Sequence, residues 1–485
     1  MLDQHRELTT EMNRIHNPIV LRAPPEIASH IFQLCISRTN NESPESLNKL
    51  VQSVLGLSAV CRDWRHIACS TPQLWTTVPI CFGAIRLLEH HRTIQQWFNR
   101  SKALPISIYA YDSKIKYLEG TVGSFDAVDT YRDVATIVRT MSEHSYRWKR
   151  LDICIPSRYS PLFDTNVPYS LSSFRSLKLE SSDSTYTARY RMKHLSPTDV
   201  TLLCVPADSL AIKWNNVTRV DVTLINLDEC FTLLQEASKL VHCRFSGILP
   251  SSELSSLLVD PIIHPTVQYF ELERPCLTET EDTGSIFERT AFPALRILKL
   301  SMNEEYLPEE SLSSFFSRSS CQLQELYIHN TGLESSTFVT FLEKVPSSLA
   351  KLDISPTTNC DHSPEEFFKT LAQSRIRNED AGNGQFLPNL EILKYQANPI
   401  KPFPWTLIPP VFGPVGQWWN LRRRPLDSFH IHFAQYNPPT RATYIDMSVI
   451  PSLLALKEIG VDLRIVSETS DGDIEILEPC SEDDL

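Results

Sequence analysis

The sequence predicts an α/β fold in which an N-terminal block of helices precedes an irregular solenoid, with parallel strands on the concave side and helices outside. Two patterns support this prediction. Large apolar residues recur at positions 1, 4 and 6 of short segments, most of them about 21 to 30 residues apart, a period typical of units that contribute one strand and one return segment. Linking stretches such as EEFFKTLAQS and STFVTFLEKV have helical spacing instead.

Composition argues against several classes of function. The 485 residues include 46 Lys and Arg against 58 Asp and Glu, a net charge of −12, whereas a nucleic-acid-binding protein needs a cationic face. The chain has only 13 glycines, and it lacks the glycine-rich nucleotide-binding motifs, G-x-S-x-G and H-E-x-x-H. We therefore expect a protein that is not an enzyme, uses no cofactor and binds no nucleic acid.

The sequence also predicts a location inside the cell, in the cytoplasm, the nucleus or both. The N-terminal run MLDQHRELTTEMNR is charged where a signal peptide would be apolar. The longest uncharged stretch, from Pro402 to Leu421, holds five prolines and is not expected to span a membrane. The 12 cysteines form no C-x-x-C pair, so we expect reduced thiols, with Cys35, Cys61 and Cys243 buried on apolar stripes.

Residues 1–17 are predicted to form a short helical segment, to which no function is assigned. Leu8, Met12, Ile15 and then Ile19 are spaced four, three and four residues apart, as on one face of a helix. A solvent-facing helix and the end of a coiled coil both fit this pattern, because two heptads are too few to specify a coiled coil.

Residues 18–80 contain a second helical block with a defined order of features. Two prolines open the run LRAPPEIASHIFQLCI, the polar connector SRTNNESPESLNK follows, and VCRDWRHIACSTPQLW closes the block. A block of this size cannot bury all of its large side chains by itself. It therefore either docks on the rest of the chain or presents an apolar surface to a partner.

These runs resemble the F-box motif, which typically reads Leu-Pro-x-Glu-Ile, an apolar helix, Val-Cys-x-x-Trp and a closing Leu-Trp. Ala23 or Pro24 stands where the motif usually opens with Leu, and the long connector is similar to those of F-box families in mushroom-forming fungi. The resemblance implies that this block binds a Skp-type adaptor, which joins it to a cullin. The implied adaptor contacts are Pro25, Ile27, Ile31, Leu34, Leu57, Val60, Cys61, Trp64, Ile67, Leu74 and Trp75.

The recurring segments resemble leucine-rich repeats and define a predicted solenoid over residues 81–466. The asparagine that usually follows position 6 occurs only as Asn303 and Asn398, so a regular asparagine ladder is absent. TTVPI (76–80) and PISIYAY (105–111) are expected to be additional opening strands. The segments are WKRLDI (148–153), FRSLKL (174–179), LSPTDV (195–200), VTRVDV (217–222), LVHCRF (240–245), VQYFEL (267–272), LRILKL (295–300), LQELYI (323–328), LAKLDI (349–354), LEILKY (390–395), LDSFHI (426–431) and LKEIGV (456–461).

The expected substrate surface consists of side chains at positions 3, 5 and 7 of the central repeats, because successive side chains of a strand alternate between faces. Their mixed charges lack the arginine cluster of a phosphate-binding site. Residues 398–425 are an insertion rich in proline and aromatics, which either binds substrate or caps the end of the core. The candidate substrate contacts are Arg244, Tyr269, Glu271, Glu325, Tyr327, His329, Trp405, Trp418 and Trp419.

Two remaining features are weaker. His430 and His432 share one face of a predicted strand, but no third ligand lies close to them in sequence, so no metal site is expected. Residues 467–485 are acidic and are expected to be a flexible tail.

The two resemblances together imply a substrate-recognition subunit of an SCF-type E3 ubiquitin ligase, which brings an unidentified protein substrate to the adaptor. The alternative is a non-catalytic leucine-rich-repeat scaffold whose F-box binds the adaptor without supporting ubiquitin transfer. An enzyme within the solenoid would instead require a cluster of residues with shifted pKa values in one deep pocket.

Overall fold

The computed structural model forms two compact units, Met1–Val217 and Thr218–Leu485. The division lies inside the predicted solenoid rather than at residue 80. Trp418, Trp419 and the end of the acidic tail lie outside the residues that the structure describes. Those residues are 4–5, 7–8, 11–12, 23–36, 43–82, 87–112, 127–163, 173–183, 188–250, 261–275, 284–357, 363–374, 386–397, 402–413, 425–433, 445–469 and 472–475.

The first unit opens with helices, and the described positions of residues 4–12 are helical as well. The elements are α1 Pro25–Cys35, α2 Pro44–Ala59, α3 Arg62–Ser70 and the 3-10 turn Pro72–Trp75. Proline occupies the first turn of both α1 and α2, where no backbone donor is needed. Ser43 caps α2 by accepting the Ser46 N–H at 3.3 Å, so this helix begins inside the predicted polar connector.

A break at Val60 and Cys61 separates α2 from α3. The Cys61 Sγ accepts the backbone N–H of Trp64 at 3.5 Å and caps α3. The Val-Cys-x-x-Trp run is therefore a helix start, in which the cysteine caps the turn that carries the tryptophan.

The rest of the first unit is built on a parallel sheet. Helices α4 Leu87–Arg100 and α5 Ala127–Glu143 follow its first two strands. The strands are β1 Thr77–Cys81, β2 Ile106–Tyr111, β3 Trp148–Ile155, β4 Ser176–Ser181, β5 Lys193–Leu195, β6 Asp199–Leu203 and β7 Ala211–Ile212. The sheet has the order β1-β2-β3-β4-β6, while β5 pairs with β7. The two predicted opening strands are thus confirmed.

The second unit contains a larger parallel sheet. Its strands are β8 Arg219–Asn226, β9 His242–Leu249, β10 Ile262–Ile263, β11 Tyr269–Glu273, β12 Thr290–Ala291, β13 Ile297–Ser301, β14 Glu325–Thr331, β15 Lys351–Pro356, β16 Ile392–Ala397, β17 Ser428–Phe433, β18 Asp462–Thr469 and β19 Gly472–Glu475. Its helices are α6 Leu227–Glu236, α7 Gly284–Arg289, α8 Glu309–Ser319, α9 Ser335–Lys344, α10 Pro364–Gln373, α11 Ile408–Phe412 and α12 Ile450–Glu458. The order is β8-β9-β11-β13-β14-β15-β16-β17-β18-β19, with β19 antiparallel and β10 paired separately with β12.

The fourth positions of the repeats lie opposite one another across this second sheet. Phe270, for example, pairs with Cys243 on one side and with Leu298 on the other. All members of the row are buried. Each repeat of the sequence therefore contributes one buried side chain to this row of the core. The row consists of Val220, Cys243, Phe270, Leu298, Leu326, Leu352, Leu393, Phe429 and Leu463.

Two predicted segments are wrong in register. In LSPTDV the buried row passes through Val200 rather than Thr198. LKEIGV covers the end of α12 and a turn at Gly460, whose φ is +93°, and the strand begins only at Asp462. Apolar residues three positions apart fit one face of a helix as well as positions 1 and 4 of a repeat, which explains the second error.

Aromatic side chains from the helices cover the buried face of the second sheet. The Phe270 ring of β11 lies 6.3 Å from the Phe287 ring of α7, and the Phe315 ring of α8 lies 5.5 Å from that of Phe292. The predicted α/β class, with N-terminal helices and parallel strands, is confirmed. In the described part of the chain, no helix is both long and apolar enough to cross a membrane.

Candidate functional site

Helix α1 is apolar on two neighbouring faces, and the inner one builds the core of the helical block. This face buries Ala28 and Phe32, and the Phe32 ring lies 4.8 Å from the Trp64 ring of α3. The Thr71 and Ser29 hydroxyls form a hydrogen bond at 2.9 Å, which ties the end of α3 to α1. The outer face of α1 is consequently left for solvent or a partner.

The outer face carries large apolar side chains. Ile27 and Leu34 are 52% and 72% exposed, and Val60 after α2 is 52% exposed. Pro25 is exposed and Ile31 is half-buried. We call these five residues the apolar set. Large exposed apolar side chains are typical of a protein interaction surface.

The other implied adaptor contacts lie deeper. Ile67, Leu74 and Trp75 are buried in the core of the chain, so their assignment as contacts is corrected: they hold the exposed residues in place. Side chains this deeply buried offer a partner almost no surface in the folded chain. Three further residues are half-buried: Leu57, Cys61 and Trp64.

Trp75 joins the helical block to the sheet of the first unit. Its indole N–H donates to the Ala68 carbonyl at 2.8 Å, and its ring lies 4.7 Å from the Trp97 ring of α4. Strand β1, which pairs with β2, ends at Cys81. The predicted boundary at residue 80 therefore falls within a strand, and the helical block shares a core with α4 and the first strands of the sheet.

The second candidate surface is the side of the second sheet opposite the buried row. We call this side the open face; its side chains alternate with the buried ones along each strand. On β9, Arg244 forms ion pairs with Asp221, Glu271 and Glu273, with Nη1–Oδ1 3.1 Å to Asp221 and Nε–Oε1 3.3 Å to Glu271. Burial opposes ionisation of Glu273, yet hydrogen bonds from Arg274 and Arg244 lower its pKa. In this part of the open face, carboxylates therefore surround Arg244 and pair with it.

Aromatic rings and lysines alternate in the middle of the open face. The His242 ring stacks on the Tyr269 ring, with centroids 3.9 Å apart, and burial lowers the pKa of His242 to about 4. The Lys299 Nζ lies 5.4 Å from the Tyr269 centroid and 4.7 Å from that of Tyr327. Lys351 donates to the Tyr327 hydroxyl at 2.6 Å.

Two predicted contacts of the middle strands take part in further pairs. Tyr327 donates its hydroxyl proton to Glu325, and the His329 Nε2 lies 3.0 Å from the Asp353 Oδ1. The candidate substrate contacts on β9, β11 and β14 are therefore brought onto one face, where they are tied to each other by hydrogen bonds and ion pairs.

The late strands of the open face enclose a cavity of about 480 Å³. Beside it, His430 hydrogen bonds to the Asp462 Oδ2 at 2.9 Å, and the Arg464 Nε donates to Oδ1 at 2.9 Å. These two bonds lower the pKa of Asp462 to about 2. The lining residues are His329, Asn330, Asp353, Ser355, Lys394, Tyr395, Gln396, His430, Ile431, His432, Arg464 and Val466. Within the described residues, no three His, Cys, Asp or Glu side chains are grouped to hold a metal.

The described part of the insertion belongs to the core. Trp405 is 4% exposed, and its ring lies 4.8 Å from that of Phe403 and 5.8 Å from that of Phe433 on β17. Its assignment as a substrate contact is corrected, because a buried ring cannot meet a ligand. Trp418 and Trp419 lie outside the described residues. The packing of Trp405 is what the cap alternative predicts for this segment.

Sequence reasoning missed two features. Leu55 on α2 is 43% exposed but lies outside the quoted motif. Lys394, His430 and Arg464 of the cavity stand opposite each other on β16, β17 and β18. Reading positions 3, 5 and 7 from the late repeats as well as the central ones would have found them, provided that the last strand was placed in its correct register.

Comparison with known proteins identifies the helical block. Residues 23–80 match the family model described as F-box-like, and no curated protein matches the sequence. The matched stretch begins just before α1 and ends within β1, so it contains the apolar set and its supporting core. The chain thus carries an F-box-like domain at residues 23–80.

Proposed function

We propose that this chain is a substrate-recognition subunit of an SCF-type ubiquitin ligase, which binds a Skp-type adaptor through the apolar set. The observation that carries the proposal is the F-box-like match over residues 23–80 together with the exposure of Ile27, Leu34 and Val60. These side chains leave more than half of their surface exposed in the isolated chain, so covering them would stabilise a complex by about 25 cal/mol per Å² of apolar surface.

The open face of the second unit would hold the substrate. The parallel strands, the buried 1-4-6 row and the helices between strands support a divergent leucine-rich-repeat solenoid, of the kind found with fungal F-box domains. Stacked repeats supply an extended surface whose side chains are free of core packing. Here that surface carries Arg244, Tyr269, Glu271, Tyr327 and their neighbours.

The chain would contribute proximity rather than chemistry. Holding adaptor and substrate on one polypeptide raises their effective concentration for a separate ubiquitin-loaded enzyme. We place this activity in the cytoplasm, the nucleus or both. Because the adaptor, the cullin and the substrate are the proposed partners, neither nucleic acid nor a membrane is required.

The test is affinity purification of the full-length chain from cells with the proteasome blocked. Recovery of adaptor, cullin and a ubiquitinated protein supports the ligase. Recovery of adaptor without cullin favours the scaffold whose F-box does not support ubiquitin transfer. Absence of the adaptor contradicts the proposal as a whole. The matched control is the Leu34→Glu variant, which should recover neither adaptor nor cullin.

A further inference from the structure

We infer that the cavity on the late strands of the open face binds an acidic peptide segment, with Lys394 as its principal anchor. This inference rests on the proposed function only in naming that segment as part of the substrate. The cavity lies between β14 and β18 and is lined almost entirely by outward side chains of these strands, so it belongs to the open face.

The lining is rich in hydrogen-bond donors. Lys394 and Arg464 are cations, three imidazoles accompany them, and Asp353 is the carboxylate among the lining residues. The Ser355 hydroxyl donates to the Gln396 Oε1, which leaves the amide N–H groups of Gln396 for a ligand. Donors that converge on a concave site of this size suit a peptide carboxylate.

The neighbouring carboxylates are already engaged. Asp353 accepts from His329, while the two oxygens of Asp462 are taken by His430 and Arg464. Lys394 lies opposite Asp353 and His430 in the strand register, yet within the described residues its ammonium has no ion-pair partner at 4.0 Å or less. An uncompensated, half-buried ammonium in a cavity is an attractive site for an anion.

At the opposite end of the open face, arginines and carboxylates form ion pairs with each other. There Arg244 is paired with three carboxylates and Arg274 with Glu273, so these two cations are already engaged. Lys394 on β16 has no such carboxylate within ion-pair distance in the described part of the chain, which distinguishes it from these two arginines. This difference in pairing favours the late strands as the position of an acidic segment.

The experiment measures binding of the full-length chain to a fluorescein-labelled peptide of alternating Glu and Ser, by fluorescence anisotropy at low salt. The matched Gln and Ser peptide is the neutral probe. We expect the glutamate peptide to bind the wild-type chain more tightly, and Lys394→Gln to weaken that binding about tenfold, as for the loss of one charge-assisted hydrogen bond. Equal binding of both peptides would overturn the inference.

The control variant is Lys369→Gln, which removes the same charge from the exposed side of helix α10. It should leave peptide binding unchanged; an equal loss in both variants would mean a general charge effect and overturn the assignment. A phosphoserine peptide that binds more tightly than the glutamate peptide would contradict recognition of carboxylates. Adaptor binding by Lys394→Gln is measured separately, so that failure of the peptide site and failure of the ligase proposal are distinguished.

Discussion

The indole of Trp75 packs edge-on against the indole of Trp97, with ring centroids 4.7 Å apart and planes at 75°. The Arg100 guanidinium lies 4.4 Å from the centroid of the Trp75 ring. Trp75 belongs to the F-box-like domain and the other two residues to helix α4 beyond it. The domain is therefore not an independent module joined by a linker, because its last tryptophan completes the core of the first unit.

Trp75→Ala should destabilise the first unit by about 3 to 5 kcal/mol, because a fully buried indole is replaced by a cavity and its hydrogen bond to Ala68 is lost. Urea unfolding followed by circular dichroism measures the change. The free energy of unfolding of Trp75→Phe should lie between those of Trp75→Ala and the wild type. A Trp75→Ala chain as stable as the wild type would show that the domain does not depend on this contact.

Trp64→Ala should reduce adaptor binding by loosening the helical block rather than by removing a direct contact. Its ring lies against Phe32, which is fully buried, and the loss of an aromatic pair costs about 0.5 to 1.5 kcal/mol beyond burial. Trp64→Phe should keep both the fold and most of the binding. If Trp64→Ala melts like the wild type yet fails to bind, Trp64 is an adaptor contact and this explanation is wrong.

The thiols should differ sharply in reactivity. Burial raises the pKa values of Cys230 and Cys243 well above the usual range for a thiol, so both stay protonated and unreactive in the native chain. Cys35, which the sequence predicts to be buried, is exposed on α1, and Cys61 is only half-buried. A maleimide reagent should label Cys35 within minutes, while rapid native labelling of Cys230 or Cys243 would contradict their burial in the core of the second unit.

The second unit should lose stability as the pH falls from about 6.5 to about 4. Burial lowers the pKa of His242 to about 4 in the folded chain, so the unfolded chain takes up the proton first. The contribution of neutral His242 to the free energy of unfolding is therefore fully present above the pKa of the unfolded chain, about 6.5, and is lost as the pH falls towards about 4. In His242→Phe, which keeps a ring against Tyr269, the melting temperature should change less over this range. The same slope in both chains would contradict a buried, neutral His242.

The strands were predictable because their buried positions recur with a fixed spacing. Leu298, Leu326 and Leu352 stand in one row of the sheet, as the 1-4-6 pattern requires. The same spacing misled at residues 456–461, where a helix end presents apolar residues three apart. Local periodicity cannot distinguish a repeat strand from a helix end here. The turn at Gly460 is what shows that the helix ends before the strand begins.

Helix α1 shows a second limit of sequence reasoning. The stripe of Ile27, Ile31 and Leu34 was identifiable as apolar, but the buried face consists of Ala28 and Phe32. Both faces are apolar, so hydrophobic periodicity could not say which one packs inward. The pairing of Lys394 with His430 was within reach by contrast, because both residues stand at position 5 of their repeats.

The most direct test of the central claim is a calorimetric titration of purified Skp-type adaptor into the full-length chain and its Leu34 variants. Leu34 is 72% exposed, so Leu34→Glu should leave the fold intact while weakening adaptor binding by about 2 kcal/mol or more, which is about thirtyfold. Leu34→Met, which keeps the apolar surface, should stay within a few-fold of the wild type. Wild-type affinity in Leu34→Glu, or no binding by the wild-type chain, would contradict the assignment of the apolar set as the adaptor surface.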